Sequence, residues 1–235
     1  MKINSITKCV LSTIFAMVVY SNVIVSQIAM TVGYHYSAGK FDAINELIER
    51  SNTKFMPNNK AWSSIKGMNG LSLGLKYRFG NFGLNAGWRY LFSIKSAKGL
   101  TDGSTNSFDW QWNFQNNSYN FGIEGFVSNY FSLGFDVLWD GYRLKSKKSN
   151  LGSSNILWRD DIISSTLYGS LNIPGTEIIS MSIRPFVQIP LTKVSLESLA
   201  TELSIESTTP LPKFNSLTYG ISIIFNNGPQ AEDSE

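Results

Sequence analysis

From Leu71 to Phe92 the chain alternates, residue by residue, between oily side chains and small or polar ones. Leu71, Leu73, Leu75, Tyr77 and Phe79 fall on one side; Ser72, Gly74, Lys76 and Arg78 fall on the other. After Gly80-Asn81 the oily side resumes with Phe82, Leu84, Ala86, Trp88, Tyr90 and Phe92, against Asn85, Gly87 and Arg89. A period of two is the signature of a β-strand with two unlike faces, and a helix would scatter these residues around its circumference. Gly80 suits the positive φ of a tight turn, so the stretch reads as a hairpin. One of its faces must border an apolar medium and the other a polar one.

The same period recurs along the chain. The first strand, about Ile28–Tyr36, sets Met30, Val32, Tyr34 and Tyr36 against Thr31, Gly33 and His35. The fourth starts near Phe108 with Phe108, Trp110, Trp112 and Phe114 on one face, and then the phase slips to Tyr119, Phe121, Ile123 and Val127. Two readings fit the slip. One long strand with a bulge changes parity without reversing direction; a hairpin turn at Asn116-Asn117 would make the strand count odd. The bulge is preferred because an even count returns both termini to one side. The fifth strand carries Phe131, Leu133, Phe135, Val137 and Trp139 outward and Ser132, Gly134, Asp136 and Asp140 inward. The sixth, about Ile162–Ile173, alternates weakly. The seventh, about Ile178–Ile189, contains Pro185, which cannot donate to a neighbouring strand and suggests a bulge or a misplaced boundary. The eighth, about Phe214–Phe225, ends in Tyr219, Ile221, Ile223 and Phe225 against Thr218, Gly220 and Ser222.

The connections alternate long and short. In the first long one, Phe41, Ile44, Leu47 and Ile48 recur at helical spacing with Asp42, Glu46, Glu49 and Arg50 between them, and Asn52 is the expected stop. This short helix is expected as a lid on the rim, or as a plugging or partner-binding element. Ser93–Ser107, Arg143–Asp160 and Pro190–Lys213 are the other long loops. Pro174-Gly175 and Ser128-Asn129 mark short turns.

Composition agrees with strands that face lipid. Apolar residues make up 43% of the 235, aromatics 13%, and charged residues only 16%; about 25% charged is usual for soluble domains. A soluble β-sandwich would carry more Lys and Glu on its outward face. Residues 1–26 read as a secretory signal: Lys2 and Lys8, an apolar stretch from Cys9 to Tyr20 continued by Val23–Val25, and Ser26 before the cleavage point. The rival reading is an uncleaved anchor. Without that segment 18 bases stand against 17 acids, which gives no bulk electrostatic reason to bind nucleic acid. Cys9 is the only cysteine and falls in the signal, so the mature chain is expected to have neither disulfide nor cysteine metal site. Residues 226–235 are expected to be a disordered periplasmic tail.

In the last strand, Thr218, Gly220, Ile223 and Phe225 resemble the closing-strand insertion signal of bacterial outer-membrane barrels. Phe79, Phe82, Phe131 and Phe225 fall near short turns, while Tyr36, Trp88, Tyr90, Trp110, Trp112, Trp139 and Tyr142 fall toward long loops, as two interfacial belts would. Over about Ile28–Phe225 the chain resembles the small eight-stranded outer-membrane barrels of OmpA, OmpX and OmpW type. The expected fold is therefore all-β: an eight-stranded antiparallel transmembrane up-and-down barrel, residues 27–225, with long extracellular loops and a short helix in the first. The resemblance implies an outer-membrane location, insertion by barrel-assembly machinery, and contact with membrane lipid and lipopolysaccharide.

Inside such a barrel, Lys76, Arg78, Arg89, Glu124, Asp136 and Arg184, with Asp109 and Asp140 as further candidates, are expected to pair, because an unpaired charge in a narrow interior is costly. They would form a network that fixes strand register, or a gate whose partners exchange. Arg143, Lys145, Lys147 and Lys148 are candidate contacts for surface glycolipid, and Trp158 is a candidate interfacial or partner contact. His35 is the lone histidine. It is placed inward, away from bilayer lipid, so it makes a poor hydrolase base and gives no metal spacing. No cofactor is expected. The leading functional expectation is a non-enzymatic barrel with a structural, surface-interaction or envelope-complex role. A narrow gated channel is the alternative, and a lipid-modifying enzyme is the weakest reading.

Overall fold

The computed structural model describes residues 27–56, 61–100, 107–149, 152, 154–173, 175, 179–205, 210–215 and 217–227. Eight strands follow in chain order: β1 (Gln27–Gly39), β2 (Gly67–Phe79), β3 (Phe82–Leu100), β4 (Ser107–Phe126), β5 (Phe131–Lys148), β6 (Ser154–Ile173), β7 (Ile179–Pro190) and β8 (Thr218–Asn227). Helix α1 (Asp42–Phe55) lies between β1 and β2, and α2 (Glu197–Glu202) between β7 and β8. Each strand pairs antiparallel with its sequence neighbours, and β8 returns to β1, so the sheet is a closed barrel. The seam sets Val32 against Phe225 and Tyr36 against Ile221. The expected signal, residues 1–26, lies outside the described residues. So does the expected tail, except that Asn226 and Asn227 belong to β8.

The barrel has an end of short turns, here called lower, and an end of long connections, here called upper. Gly80 takes a positive φ of 54° in the turn between Phe79 and Phe82, which face each other across the hairpin. In the lower part the sheet is apolar outside. Leu73 is 53% exposed, Phe135 40% and Ile221 45%, while Ser72 and Gly134 are partly buried and Asp136 and Ser222 are buried. Water would penalise so continuous an oily exterior, and bilayer tails would not; this is the lipid-facing surface of a transmembrane barrel. No helix among the described residues is long and apolar enough to cross a membrane, so the strands do the crossing.

Higher up, the sides exchange chemistry. On β4 the inward residues Trp110, Trp112 and Phe114 are buried, followed downward by inward Asn116 and Ser118, while Tyr119, Phe121 and Ile123 lie exposed outside. The ladders to β3 and β5 run through this region in unbroken register. The phase slip near Asn117 is therefore one continuous strand, as preferred, but not a bulge. The backbone keeps its period and the solvent on each side changes. On β5, inward Asp136 and Asp140 give way to inward Tyr142 and Leu144, and outward Val137 and Trp139 give way to outward Arg143, Lys145 and Lys147. A register shift does occur higher, where Leu144 pairs with Trp158 but Lys145 with Ile156, leaving Leu157 as the extra residue of β6. Pro185 makes no bulge either. Pairing of β7 with β6 lapses between Phe186 and Ile183 and resumes in the same register, while Pro185 stays aligned with Ile221 of β8.

Strands β3 to β6 have 18 to 20 residues, whereas β1, β2, β7 and β8 have 10 to 13. Much of two expected loops, Ser93–Leu100 and Arg143–Lys148, is thus strand that rises above the lipid band. The helices fill the space behind this tall wall. Phe41, Ile44, Leu47 and Ile48 are buried as their spacing predicts, against Trp62, Met68, Leu91, Trp110, Trp112, Phe114, Tyr142, Trp158 and Phe214. Trp62 stacks on Trp112 with ring centroids 4.6 Å apart, and Phe114 on Tyr142 at 5.5 Å. Trp110, Trp112 and Tyr142 belong to this plug rather than to an interfacial belt, and Trp158 packs against Phe214 rather than on lipid or a partner. Burying each such side chain contributes about 1.5–3 kcal/mol. The helix runs past Asn52, whose amide instead clamps the Trp62 backbone with two bonds of 2.9 Å, as the Asn45 amide clamps Ile65 at 2.7 and 3.0 Å.

Candidate functional site: the barrel lumen and the wall above the lipid band

The lumen is built where small or polar residues alternate inward on every strand. Its lowest inward charges close the lower mouth. The Lys76 ammonium lies 4.8 Å and the Arg78 guanidinium 4.0 Å from the Phe126 ring centre, and Arg78 also donates to Asn129 Oδ1 at 3.0 Å. Above this, Ser132, Ser170, Ser182 and Asn172 form a hydrogen-bonded belt: Asn172 Oδ1 accepts from Ser170 and Ser182 at 3.1 and 2.9 Å, and its amide donates to Ser132.

Two carboxylates organise the charges. Glu124 of β4 meets Lys76 of β2 at 2.9 Å and Arg184 of β7 at 3.5 Å, and accepts from Ser132 at 2.5 Å. Asp140 of β5 lies 3.6 Å from Arg89 of β3 and accepts from Gln188 at 2.7 Å, Ser118 at 2.5 Å and Asn116 at 3.1 Å; Arg89 in turn donates to Gln188 at 2.8 Å. Each node ties together strands far apart around the barrel, which holds the barrel's cross-section. Asp136 lies between the nodes. It makes no ion pair among the described residues, accepts from Asn120 at 3.2 Å, and its Oδ1 has no hydrogen-bond partner. The Asn120 amide also reaches Asn85, and Asn85 donates to the Tyr168 hydroxyl at 2.9 Å, with the Arg184 guanidinium 4.1 Å over the Tyr168 ring. A Cβ on Gly134 would occupy the space of that ring.

His35 links the seam to its neighbours. Its ring nitrogens lie 2.6 Å from Ser72 Oγ on β2 and 2.6 Å from Ser222 Oγ on β8. Both ring positions are taken by hydroxyls, so no carboxylate orients the imidazole. The remaining space is a cavity of about 70 Å³, lined by His35, Arg89, Asp136, Thr166, Tyr168 and Arg184 among others. That holds a few waters.

Of the six residues expected in the lumenal network, Lys76, Arg89, Glu124 and Arg184 are joined by ion pairs, Asp136 is present without one, and Arg78 sits at the mouth on Phe126. Asp140 is central, while Asp109 lies exposed on β4 across from Lys98. The sequence placed Asn85 and Gln188 inward and Asn116 at the phase slip but gave none of them a lumenal role, and Asn120 and Tyr168 went unremarked; the only signal of each was an inward amide or ring. The four basic residues expected in a loop lie instead on β5. Arg143, Lys145 and Lys147 take outward positions, while Lys148 turns inward with its ammonium 4.0 Å over the Trp110 ring. Thr218 and Gly220 face inward and Ile223 and Phe225 outward on the closing strand. No group of three or more His, Cys, Asp or Glu among the described residues is arranged to hold a metal.

No protein-family model matches the chain, and neither does any curated protein. Solved structures do. The chain is similar to Ail, the attachment invasion locus protein of Yersinia pestis, in complex with the heparin analogue sucrose octasulfate, at 12% identity and a TM-score of 0.49 over 86% of this chain and 98% of that one. A second structure of Ail gives 12% and 0.43 over 85% and 97%. Neisserial surface protein A gives 9% and 0.41 over 86% and 97%. At such identities no residue role transfers.

Proposed function

We propose that this is an outer-membrane barrel of a Gram-negative bacterium that presents a rigid surface beyond the membrane and neither catalyses a reaction nor conducts solute. The export segment 1–26 and the closing-strand signal Thr218, Gly220, Ile223 and Phe225 fit delivery to the barrel-assembly machinery. The surface would meet outer-leaflet lipid, lipopolysaccharide or an envelope protein. The observation that carries the reading is the apolar plug of α1, α2 and the upper inward aromatics, which occupies the barrel where a conduit would need to pass. Lumenal charges joined across the barrel then serve to fix its cross-section.

The test is conductance in planar bilayers. The purified protein is expected to give no discrete openings. Openings that vanish in Arg89→Ala or Glu124→Ala would overturn this reading in favour of a gated channel. That second reading draws on Asp136, a buried carboxylate that neighbouring cations would reach by exchanging partners. A lipid hydrolase is disfavoured because the His35 ring faces the lumen, held by the Ser72 and Ser222 hydroxyls, rather than the lipid; lipid hydrolysis abolished by His35→Gln would revive it.

A further inference from the structure

Above the lipid band, outward positions on β5 and β6 place four cations in one patch. Arg143 stands directly across from Arg159, Lys145 follows on the next outward step of β5, and Lys147 on the step after. Like charges directly opposite on a sheet destabilise it. Among the described residues no ion pair neutralises them. The carboxylate next along this face, Asp161, lies across from Gly141, and no ion pair joins it to any of the four cations among the described residues. Arg143 Nε and Asn113 Oδ1, the latter on the residue that pairs with Lys145, are buried without a hydrogen-bond partner. Arg159 and Lys147 are exposed and Arg143 and Lys145 partly so, and four like charges on one outward face call for an anion from outside the chain.

The height of the patch says where that anion sits. Trp139 is the last exposed aromatic of β5 before the outward side turns basic. Arg143 is four residues farther, about 10 Å along the barrel axis at ordinary strand rise and tilt. The polar layer of a typical bilayer adds roughly 5–8 Å outside the hydrocarbon on each side, so the patch stands at the outer edge of the headgroups. Beside it, on β3, Trp88, Tyr90 and Phe92 form a ladder of rings, the first pair stacked at 6.2 Å and the second at 6.0 Å, with outward Gln115 pairing both Phe92 and Arg143. Flat rings, amides and forked cations suit a phosphorylated sugar.

We infer that Arg143 and Arg159, assisted by Lys145, bind a phosphate on the headgroup of an outer-leaflet glycolipid. The sugar lies toward the ring ladder of β3. The inference deepens the outer-membrane reading above and rests on it. It differs from the expectation read from sequence in adding Arg159, in removing Lys148, and in placing the contact on rigid strands at headgroup depth rather than on a loop.

The experiment uses the full mature chain folded into phosphatidylcholine nanodiscs, titrated with lipid A carrying two phosphates or with the same lipid enzymatically dephosphorylated, with bound lipid read by native mass spectrometry. The phosphorylated lipid is expected to bind at least about tenfold more tightly. Arg143→Gln should weaken it about tenfold and Arg143→Gln/Arg159→Gln about a hundredfold. Lys148→Gln should bind as the parent does. The doubly substituted Lys variant keeps the charge but loses the fork, and should fall between. Strand content and heat-modified gel mobility establish that each variant is folded. Equal binding of the two lipids would overturn the inference. So would parent-like binding by the folded double Gln variant, or displacement by equimolar inorganic phosphate, which would make the ligand a soluble anion. A chain that inserts normally yet ignores phosphate sinks only this inference; a chain that fails to insert sinks the outer-membrane reading.

Discussion

Below Trp139 and Ile163 the strands carry oily residues outside and hydrogen-bonded polar ones inside; above them β4 and β5 carry Arg, Lys and amides outside and Trp, Phe, Tyr and Leu inside, while β3 keeps Tyr90, Phe92 and Ile94 outside. The backbone of β4 passes from one regime to the other without a change of register. A strand therefore has no intrinsic inner chemistry. Each face matches its surroundings, and the exchange of sides records the height at which the outer medium changes from tails to water. The two storeys are also held together differently. The lower is fixed by charge nodes and hydroxyl belts that satisfy one another inside a lipid-wrapped wall, and the upper by hydrophobic burial.

The contrast can be broken by substitution. The largest effect is expected from Glu124→Ala, which strands Lys76 and Arg184 in the lumen and should lower stability by about 3–5 kcal/mol in urea unfolding from vesicles; adding Lys76→Met should recover part of the loss. Next, Leu73→Arg puts a charge into the lipid band and should cost about 2–4 kcal/mol. The same substitution at exposed, outward Gln111 should stay within about 0.5 kcal/mol. Equal costs at the two sites would erase the boundary between storeys. In the plug, Leu47→Ala should cost about 2–3 kcal/mol, lost from the upper storey alone: protease protection of α1 should fall while heat-modified gel mobility of the barrel persists. The smallest effect is Asn45→Ala, about 1 kcal/mol, from the two bonds to Ile65, measured as faster amide exchange at Ile65.

The lower storey was the legible one. Strict alternation at Leu71–Phe92 and Phe131–Trp139 places strands, turns and faces close to where they lie. The helix was legible because Phe41, Ile44, Leu47 and Ile48 have only one face to share. The upper storey was misread for a physical reason. Arg143–Lys148 keeps a period of two with Arg143, Lys145 and Lys147 facing out, and Ser93–Leu100 mixes polar and apolar residues on both faces, so both stretches look like loop when judged by the lipid rule. The same rule made the exchange of sides at Asn117 look like a backbone fault. In the lumen the charges were visible, but their partners were not. Glu124 and Arg184 are far apart in sequence, and only closure of the sheet brings them to 3.5 Å. The amides that complete each node look like any inward Asn or Gln.

The unequal strand lengths bear on the order of assembly. The seam joins β1 to β8 through ten residue pairs, whereas β3 and β4 share nineteen. The two chain segments that feed the plug leave directly from those seam strands, where the Lys40 backbone N–H donates to the Leu217 carbonyl at 3.3 Å. Zipping the seam last would bring the two halves of the plug together at that moment, and the bond from the Lys54 ammonium to the Ser204 carbonyl would form only once the cylinder has shut.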